Sequence, residues 1–165
     1  MQNSKLLRPA VLTDVPAIAA LERLPQTRNF VGQWSDERHL QTLASADARY
    51  FVSESEPGRL QGFAILRGFA EPYRSIELKR IVVATPEQGL GRKMLEALIR
   101  MAFEEFAAHR LWLDVFESNA RARHVYESLG FVYEGTLREA FCRDGEYHSL
   151  LLMSMLEREY AMRRW

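Results

Sequence analysis

Val83-Ala84-Thr85-Pro86-Glu87-Gln88-Gly89-Leu90-Gly91-Arg92-Lys93 is the stretch on which the fold turns. Upstream, the β-branched run Ser75–Val83 follows Pro72 and reads as a strand. Its alternation breaks at Ile81-Val82-Val83, which predicts burial on both faces at that end. Downstream, Met94, Leu95, Leu98, Ile99, Ala102 and Phe106 recur at three- and four-residue steps, with Arg92, Lys93, Glu96, Arg100 and Glu104 opposite. That period predicts an amphipathic helix from Leu90 to about Phe106. Glycines let the chain turn tightly between the two and let a ligand approach main-chain N–H groups. The first amides of a helix have no internal partner, and the helix dipole favours an anion there. Arg92 and Lys93 add positive charge. The segment reads as a phosphate or pyrophosphate cradle, or as a strand-to-helix turn whose glycines serve geometry alone. It lacks the Gly-Lys-Ser/Thr of a Walker loop, and Met94 stands where a dinucleotide turn has its third glycine.

Outward from this unit the pattern alternates. Leu6–Ala10 is β-compatible, and Thr13 is placed to cap a helix that begins near Asp14 and carries Ala17, Ile18, Leu21 and Leu24. Gln26–Trp34 reads as loop. Ser35 caps a second helix with Leu40 and Leu43 as its apolar face. Tyr50–Ser53 and Leu60–Arg67 flank Glu56-Pro57-Gly58, a hairpin signal. Beyond the central helix, Leu111–Phe116 is a strand, Asn119–Leu129 a helix closed by Gly130, and Phe131–Leu137 and Tyr147–Met155 a strand pair around Arg143-Asp144-Gly145. Glu157–Trp165 reads as a short amphipathic tail. Strands and helices in this order predict a layered α/β structure, and evenly spread turn signals predict a single domain over 1–165.

Composition narrows the function classes. The 165 residues hold 22 Lys and Arg against 22 Asp and Glu. Zero net charge argues against a dedicated nucleic-acid binder. The single cysteine, Cys142, rules out an internal disulfide or a cysteine-built zinc site. His39, His109 and His148 show no metal-ligand spacing, so no metal is expected. Apolar runs such as Leu150–Met153 fall far short of the ~20 residues of a membrane span. With Asp14 and Pro16 among the first 20 residues no secretory signal is expected, and the expected location is cytoplasmic.

A second segment adds chemistry. In Asn119-Ala120-Arg121-Ala122-Arg123-His124-Val125-Tyr126-Glu127-Ser128-Leu129-Gly130-Phe131, Asn119 and Tyr126 are seven apart and lie on nearly one helix face. Taken alone, Asn119 is an N-cap and Tyr126 a core residue on an apolar stripe. Taken with the glycine loop, the pair resembles the GCN5-related N-acetyltransferase (GNAT) family. Asn119, Ala122, Tyr126, Gly130 and Phe131 match its Asn-x-x-Ala-x-x-x-Tyr-x-x-x-Gly-Phe helix at every fixed position. The stretch Phe131–Met155 looks like the branch holding spermidine and ribosomal-protein N-acetyltransferases. The loop departs from the family pattern. With Gly89 and Gly91 as its last two glycines, Pro86 stands where Gln or Arg is usual; with Gln88 as that Gln, Lys93 replaces a small residue. The helical period favours the first register.

The resemblance implies the GNAT fold, a mixed, mostly antiparallel sheet of about seven strands with one splayed parallel pair and about four flanking helices. It implies acetyl-CoA as donor, direct acetyl transfer to a small-molecule amine in a ternary complex, and a possible homodimer, which the apolar Leu150–Met155 run permits. The splayed strands would be Ser75–Val83 and Leu111–Phe116. The cofactor would meet Ile81, Val82, Val83, Gln88, Gly89, Leu90, Gly91, Arg92, Lys93, Asn119, Ala122 and Tyr126. Tyr126 matches the family's general acid, and Glu77 and Asp114 are alternative bases. Phe30, Trp34, Tyr73, Phe141 and Tyr147 fall in the segments that form the family's acceptor pocket and, with nearby Glu and Asp, would suit a cation with an apolar body. A protein N-terminus or lysine as acceptor, and a non-catalytic acyl-CoA-binding module, are the other readings.

Overall fold

A computed structural model describes residues 6–163 and residue 165. The chain runs β1 (Arg8–Pro9), α1 (Val15–Glu22), α2 (Asp36–Leu43), β2 (Ala48–Glu56), β3 (Arg59–Arg67), β4 (Ser75–Val83), α3 (Leu90–Arg100), β5 (Arg110–Phe116), α4 (Ala120–Leu129), β6 (Val132–Arg143), β7 (Glu146–Leu156) and α5 (Glu157–Ala161). The strands form one seven-stranded sheet in the order β1-β2-β3-β4-β5-β7-β6. Every neighbouring pair is antiparallel except β4 and β5. That is the mixed sheet expected of the GNAT fold.

Two cores lie on opposite faces of the sheet. Leu66, Ile76, Leu78, Leu98, Leu113 and Met153 belong to the core that includes α3 and α4. Ile18, Trp34, Tyr50, Phe63, Ile65 and Val82 belong to the other, with α1 and the loop before α2. Strand β4 contributes to both because it carries a bulge. Ile65 faces Arg80 while Leu66 faces Leu78, which leaves Lys79 without a partner of its own on β3. One extra residue moves every later side chain to the other face. Ile76 and Leu78 therefore point to the α3–α4 core, whereas Arg80 and Val82 point to the α1 side.

The same strand then parts from its parallel neighbour. Ser75, Ile76 and Glu77 pair with Arg110, Leu111 and Trp112, and the register goes no further. Beyond Glu77, β4 is paired to β3 alone, and beyond Trp112, β5 is paired to β7 alone. A wedge opens between Leu78–Val83 and Leu113–Phe116.

Local expectations largely hold. Ser35 Oγ accepts from the Arg38 N–H at 3.2 Å and Asn119 Oδ1 from the Ala122 N–H at 3.2 Å. Gly130 closes α4 at φ 98°. Several details differ. Asp14, not Thr13, organises the start of α1, accepting from the Val11 N–H at 2.8 Å and from Arg8. On α2 the buried residue is His39, while Leu40 is 40% exposed; His39 shares the helix face of Leu43, and Leu40 lies about 100° away. The central helix widens at Met101, where a π-helical turn carries the chain to Glu105 and the Phe106 N–H bonds Met101 O at 2.9 Å. Of Ile81-Val82-Val83 only Val82 is buried, because its neighbours border the wedge. The Leu150–Met155 run lies in β7, an interior strand with both edges paired, so the free sheet edge on that side is β6. The tail folds back, with Tyr160 stacked on Phe103 at 4.7 Å and Trp165 on Tyr160 at 5.1 Å.

Candidate active site

Two cavities meet at the wedge, and Ile81 and Tyr126 line both. The first, of about 260 Å³, lies between the end of β4, the glycine loop and α4. Its walls are mainly apolar: Ile81, Val83, Leu95, Ala122 and Val125. Gly89 sits at φ 76° with no side-chain cap on α3. The first amide to find a helical carbonyl is that of Lys93, bonded to Gly89 O at 3.1 Å. The N–H groups of Leu90, Gly91 and Arg92 thus stand ahead of the helical ladder, beside the cavity. Gly91 lies against Val83, and a Cβ there would make only ordinary contact at 3.7 Å. Conformation favours glycine at 89, whereas at 91 neither conformation nor packing requires it.

Arg92 lines this cavity and is held by Glu96 at 3.0 Å and Ser128 Oγ at 2.8 Å. Gln88, Leu90 and Lys93 line a separate depression with Leu6 and Gln61 on the other side of the loop. None of the three lines the first cavity, which takes Glu87, Gly89, Gly91 and Arg92 from this stretch. Arg121 was not singled out by spacing, yet it borders the cavity and pairs with Glu87 at 3.2 Å. Asn119 is engaged as the α4 cap, while Ala122 forms part of the wall.

The second cavity, of about 280 Å³, opens on the opposite side of Tyr126. Phe30, Trp34, Phe116 and Phe141 supply its aromatic walls, and Arg38, Lys79, Arg80 and Asp114 its charges. Tyr73 and Tyr147, grouped with these aromatics by sequence, are 74% and 66% exposed and lie elsewhere. Glu77 lines neither cavity; it sits where β4 is still paired to β5 and binds Lys79 Nζ at 3.2 Å.

Tyr126 is 9% exposed. Burial, reinforced by the charge of Asp114, pushes its phenol up to about 12. It stays protonated throughout the physiological range and remains a hydrogen-bond donor.

Behind the second cavity is a buried polar cluster that spacing alone did not reveal. Glu22, fully buried, binds Arg80 and accepts from the Trp34 N–H at 2.9 Å. His39 Nε2 lies 3.2 Å from the same carboxylate but out of line for a hydrogen bond, and its Nδ1 meets Tyr50 OH at 3.1 Å. Burial alone would raise the Glu22 carboxyl; His39, Arg80 and the Trp34 amide outweigh it and hold the group below the usual range. A signal was there: Glu22 follows Val15 by seven and Ile18 by four, so a carboxylate sits on the buried stripe of α1.

Among the described residues no group of three or more His, Cys, Asp or Glu could hold a metal, and no helix is long and apolar enough to cross a membrane. Cys142 is exposed and free.

A strand pair parted beside uncapped helix amides, with a protonated tyrosine between two cavities, makes up the candidate site. Residues 17–131 match the model of the acetyltransferase (GNAT) family. The chain belongs to that family and is an N-acetyltransferase. Over 158 residues it is 29% identical to a spermidine N(1)-acetyltransferase of Vibrio cholerae, covering 87% of this chain and 89% of the relative. It is 31% identical over 147 residues to a ribosomal-protein alanine N-acetyltransferase of Escherichia coli, covering 85% and 90%. A solved structure of a variant of the Vibrio cholerae spermidine N-acetyltransferase SpeG superposes with a TM-score of 0.82 at 27% identity, covering 95% of this chain and 98% of that one.

Proposed function

We propose that the chain transfers the acetyl group of acetyl-CoA to a primary amine of a small molecule by direct attack in a ternary complex. The observation that carries this is the parting of β4 and β5 beyond Glu77 and Trp112, with Tyr126 where the two cavities join. The pantetheine arm occupies the wedge and bonds the free main-chain edge of Ile81–Val83 as a strand would. The pyrophosphate takes the amides of Gly89, Leu90, Gly91 and Arg92, with the Arg92 guanidinium beside it. Ala122 and Asn119 bound the arm from α4. The amine enters from the side of Asp114. The other reading with support of its own is a peptide N-terminus, the acceptor named in the Escherichia coli relative.

An alkyl ammonium near ~10.4 costs about 5 kcal/mol to deprotonate at pH 7. Asp114, a carboxylate on the acceptor wall, takes that proton directly or through a water, and Glu77 positions Lys79. Should Asp114 not serve, Glu77 is the remaining base. The Val83 region amide polarises the thioester carbonyl. The departing thiolate, near ~8.5 by analogy with cysteine, meets the Tyr126 hydroxyl. Full proton transfer from a phenol near 12 is uphill by about 5 kcal/mol, at ~1.4 kcal/mol per unit. Tyr126 therefore acts chiefly by hydrogen bonding to the sulfur as charge develops.

Calorimetric titration with acetyl-CoA should register binding, and amines should raise thiol release above background. Tyr126→Phe should lower kcat at least tenfold and leave the acetyl-CoA Kd within about twofold. Unchanged turnover would return Tyr126 to a packing role. Absence of any heat with millimolar acetyl-CoA would end the reading altogether.

A further inference from the structure

We infer that the amine acetylated by this chain also bears a carboxylate, so that its acceptor is an amino-acid-like zwitterion and not a polyamine. The inference rests on the acyl-transfer reading above and names the substrate class of the same site.

The second cavity sets three cationic side chains, Arg38, Lys79 and Arg80, against one carboxylate, Asp114. A polyamine at neutral pH is a chain of ammonium groups, since each amine titrates near ~10.4. Such a ligand calls for several free carboxylates, and like charges facing it count against binding. The acids nearest to these cations are not free. Glu22 is fully buried behind the cavity and engaged by Arg80 and the Trp34 amide. Glu77 is outside the cavity and engaged by Lys79 at 3.2 Å.

The cations, by contrast, have capacity to spare. The Arg80 side chain is only 5% exposed, and Glu22 takes one guanidinium nitrogen, Nη1. The other, Nη2, points toward Gly32 on the cavity wall, where an added Cβ would lie 3.1 Å from it. No acceptor among the described residues meets that nitrogen. Arg38 makes no ion pair among the described residues, and its guanidinium lies 4.1 Å over the Trp34 ring, which Arg80 also approaches at 4.3 Å. Trp34, anchored through its amide to Glu22, thus holds two guanidinium groups at the cavity. A guanidinium fork with unused donors fits the two oxygens of a carboxylate.

Asp114 lies on the other wall, on β5, close enough to Tyr126 for its charge to be felt there. The positive end of the acceptor belongs at Asp114, near the thioester. The negative end belongs at Arg80 and Arg38, on the α1–α2 side. Phe30, Phe116 and Phe141 between them suit an apolar side chain.

The test uses the intact chain with acetyl-CoA and four acceptors: phenylalanine, phenylalaninamide, spermidine and 2-aminoethyl phosphate, with product read by mass. Phenylalanine should exceed its amide at least tenfold in kcat/KM, with the difference in KM. The lower amine pKa of the amide works against this result, which makes the comparison stringent. Arg38→Gln should shrink the ratio to threefold or less, and Arg38→Lys should restore part of it. Equal or faster acetylation of the amide or of spermidine overturns the inference while leaving acetyl transfer intact. A preference for 2-aminoethyl phosphate over phenylalanine overturns the carboxylate assignment in favour of another oxyanion. Binding of acetyl-CoA with no acetylation of phenylalanine overturns it as well. A chain that neither binds acetyl-CoA nor releases thiol with any amine fails at the earlier reading.

Discussion

The cavity beside α3 and α4 is walled by apolar side chains and uncapped amides, most of them from one loop and two helices. The cavity beside α1 and α2 is walled by guanidinium, carboxylate and aromatic groups drawn from loops, helices and strands far apart in the chain. The two share Tyr126 and Ile81, yet they answer to different physics. The first needs main-chain donors and a smooth slot, which any sequence with the right turn and small residues provides. The second needs particular charges at particular places, and the buried one, Arg80, requires a carboxylate behind it. A carrier site can therefore be shared by relatives with unlike acceptors, while the acceptor site is built chain by chain.

Four substitutions or conditions probe this contrast, beginning with the largest effect. Glu22→Ala leaves the buried Arg80 without its carboxylate and should cost about 3–5 kcal/mol, the usual penalty for breaking a buried pair. The melting temperature should drop sharply; a loss below ~1 kcal/mol would show that the cluster is not an energetic unit. Asp114→Asn keeps the shape of the acceptor wall and removes its base. It should lower kcat/KM about a hundredfold with acetyl-CoA affinity held. If activity survives and Glu77→Gln abolishes it, the base is Glu77. On the carrier side, Gly89→Ala meets no neighbour within 4 Å, so only its φ of 76° opposes it. The expected cost is about 1 kcal/mol of stability, with a several-fold weaker acetyl-CoA Kd and little change in amine KM. Gly89→Asn, which tolerates that conformation better, should recover part of the loss. The smallest effect lies outside both cavities. Arg110 first, then Ser154, hold the Glu134 carboxyl at about 2. Its folded value is depressed below the ordinary ~4.3, so its contribution is present above that value and fades as pH falls toward 2. Because the group is exposed, the change is modest. Melting curves between pH 5 and 3 should shift slightly more for the parent than for Glu134→Gln.

The carrier half of the site was legible because its signals are local. The turn of Gly89, the cap of Asn119, the left-handed Gly130 and the seven-residue step from Asn119 to Tyr126 each involve residues within a few positions of one another. Backbone geometry translates such spacings directly into space. The acceptor half was not legible in the same way. Phe30, Trp34 and Phe141 were found as aromatics in the relevant segments, but Tyr73 and Tyr147 were grouped with them and lie at the surface. Glu and Asp were expected to meet a cation, and the cavity presents one of them, Asp114, together with three cations, Arg38, Lys79 and Arg80. Glu22 on the buried stripe of α1 was the one local clue to that reversal.

What the amino-acid order determined by itself is the succession of strands and helices, their caps and turns, and the uncapped helix start after Gly89, because each depends on neighbours along the chain. Tertiary structure alone decided two things. One is the bulge at Lys79, which turns Arg80 from the α3–α4 core toward Glu22. The other is the point at which β4 leaves β5. Both depend on the register between separate strands, and a one-residue difference there changes the face on which every later side chain lies.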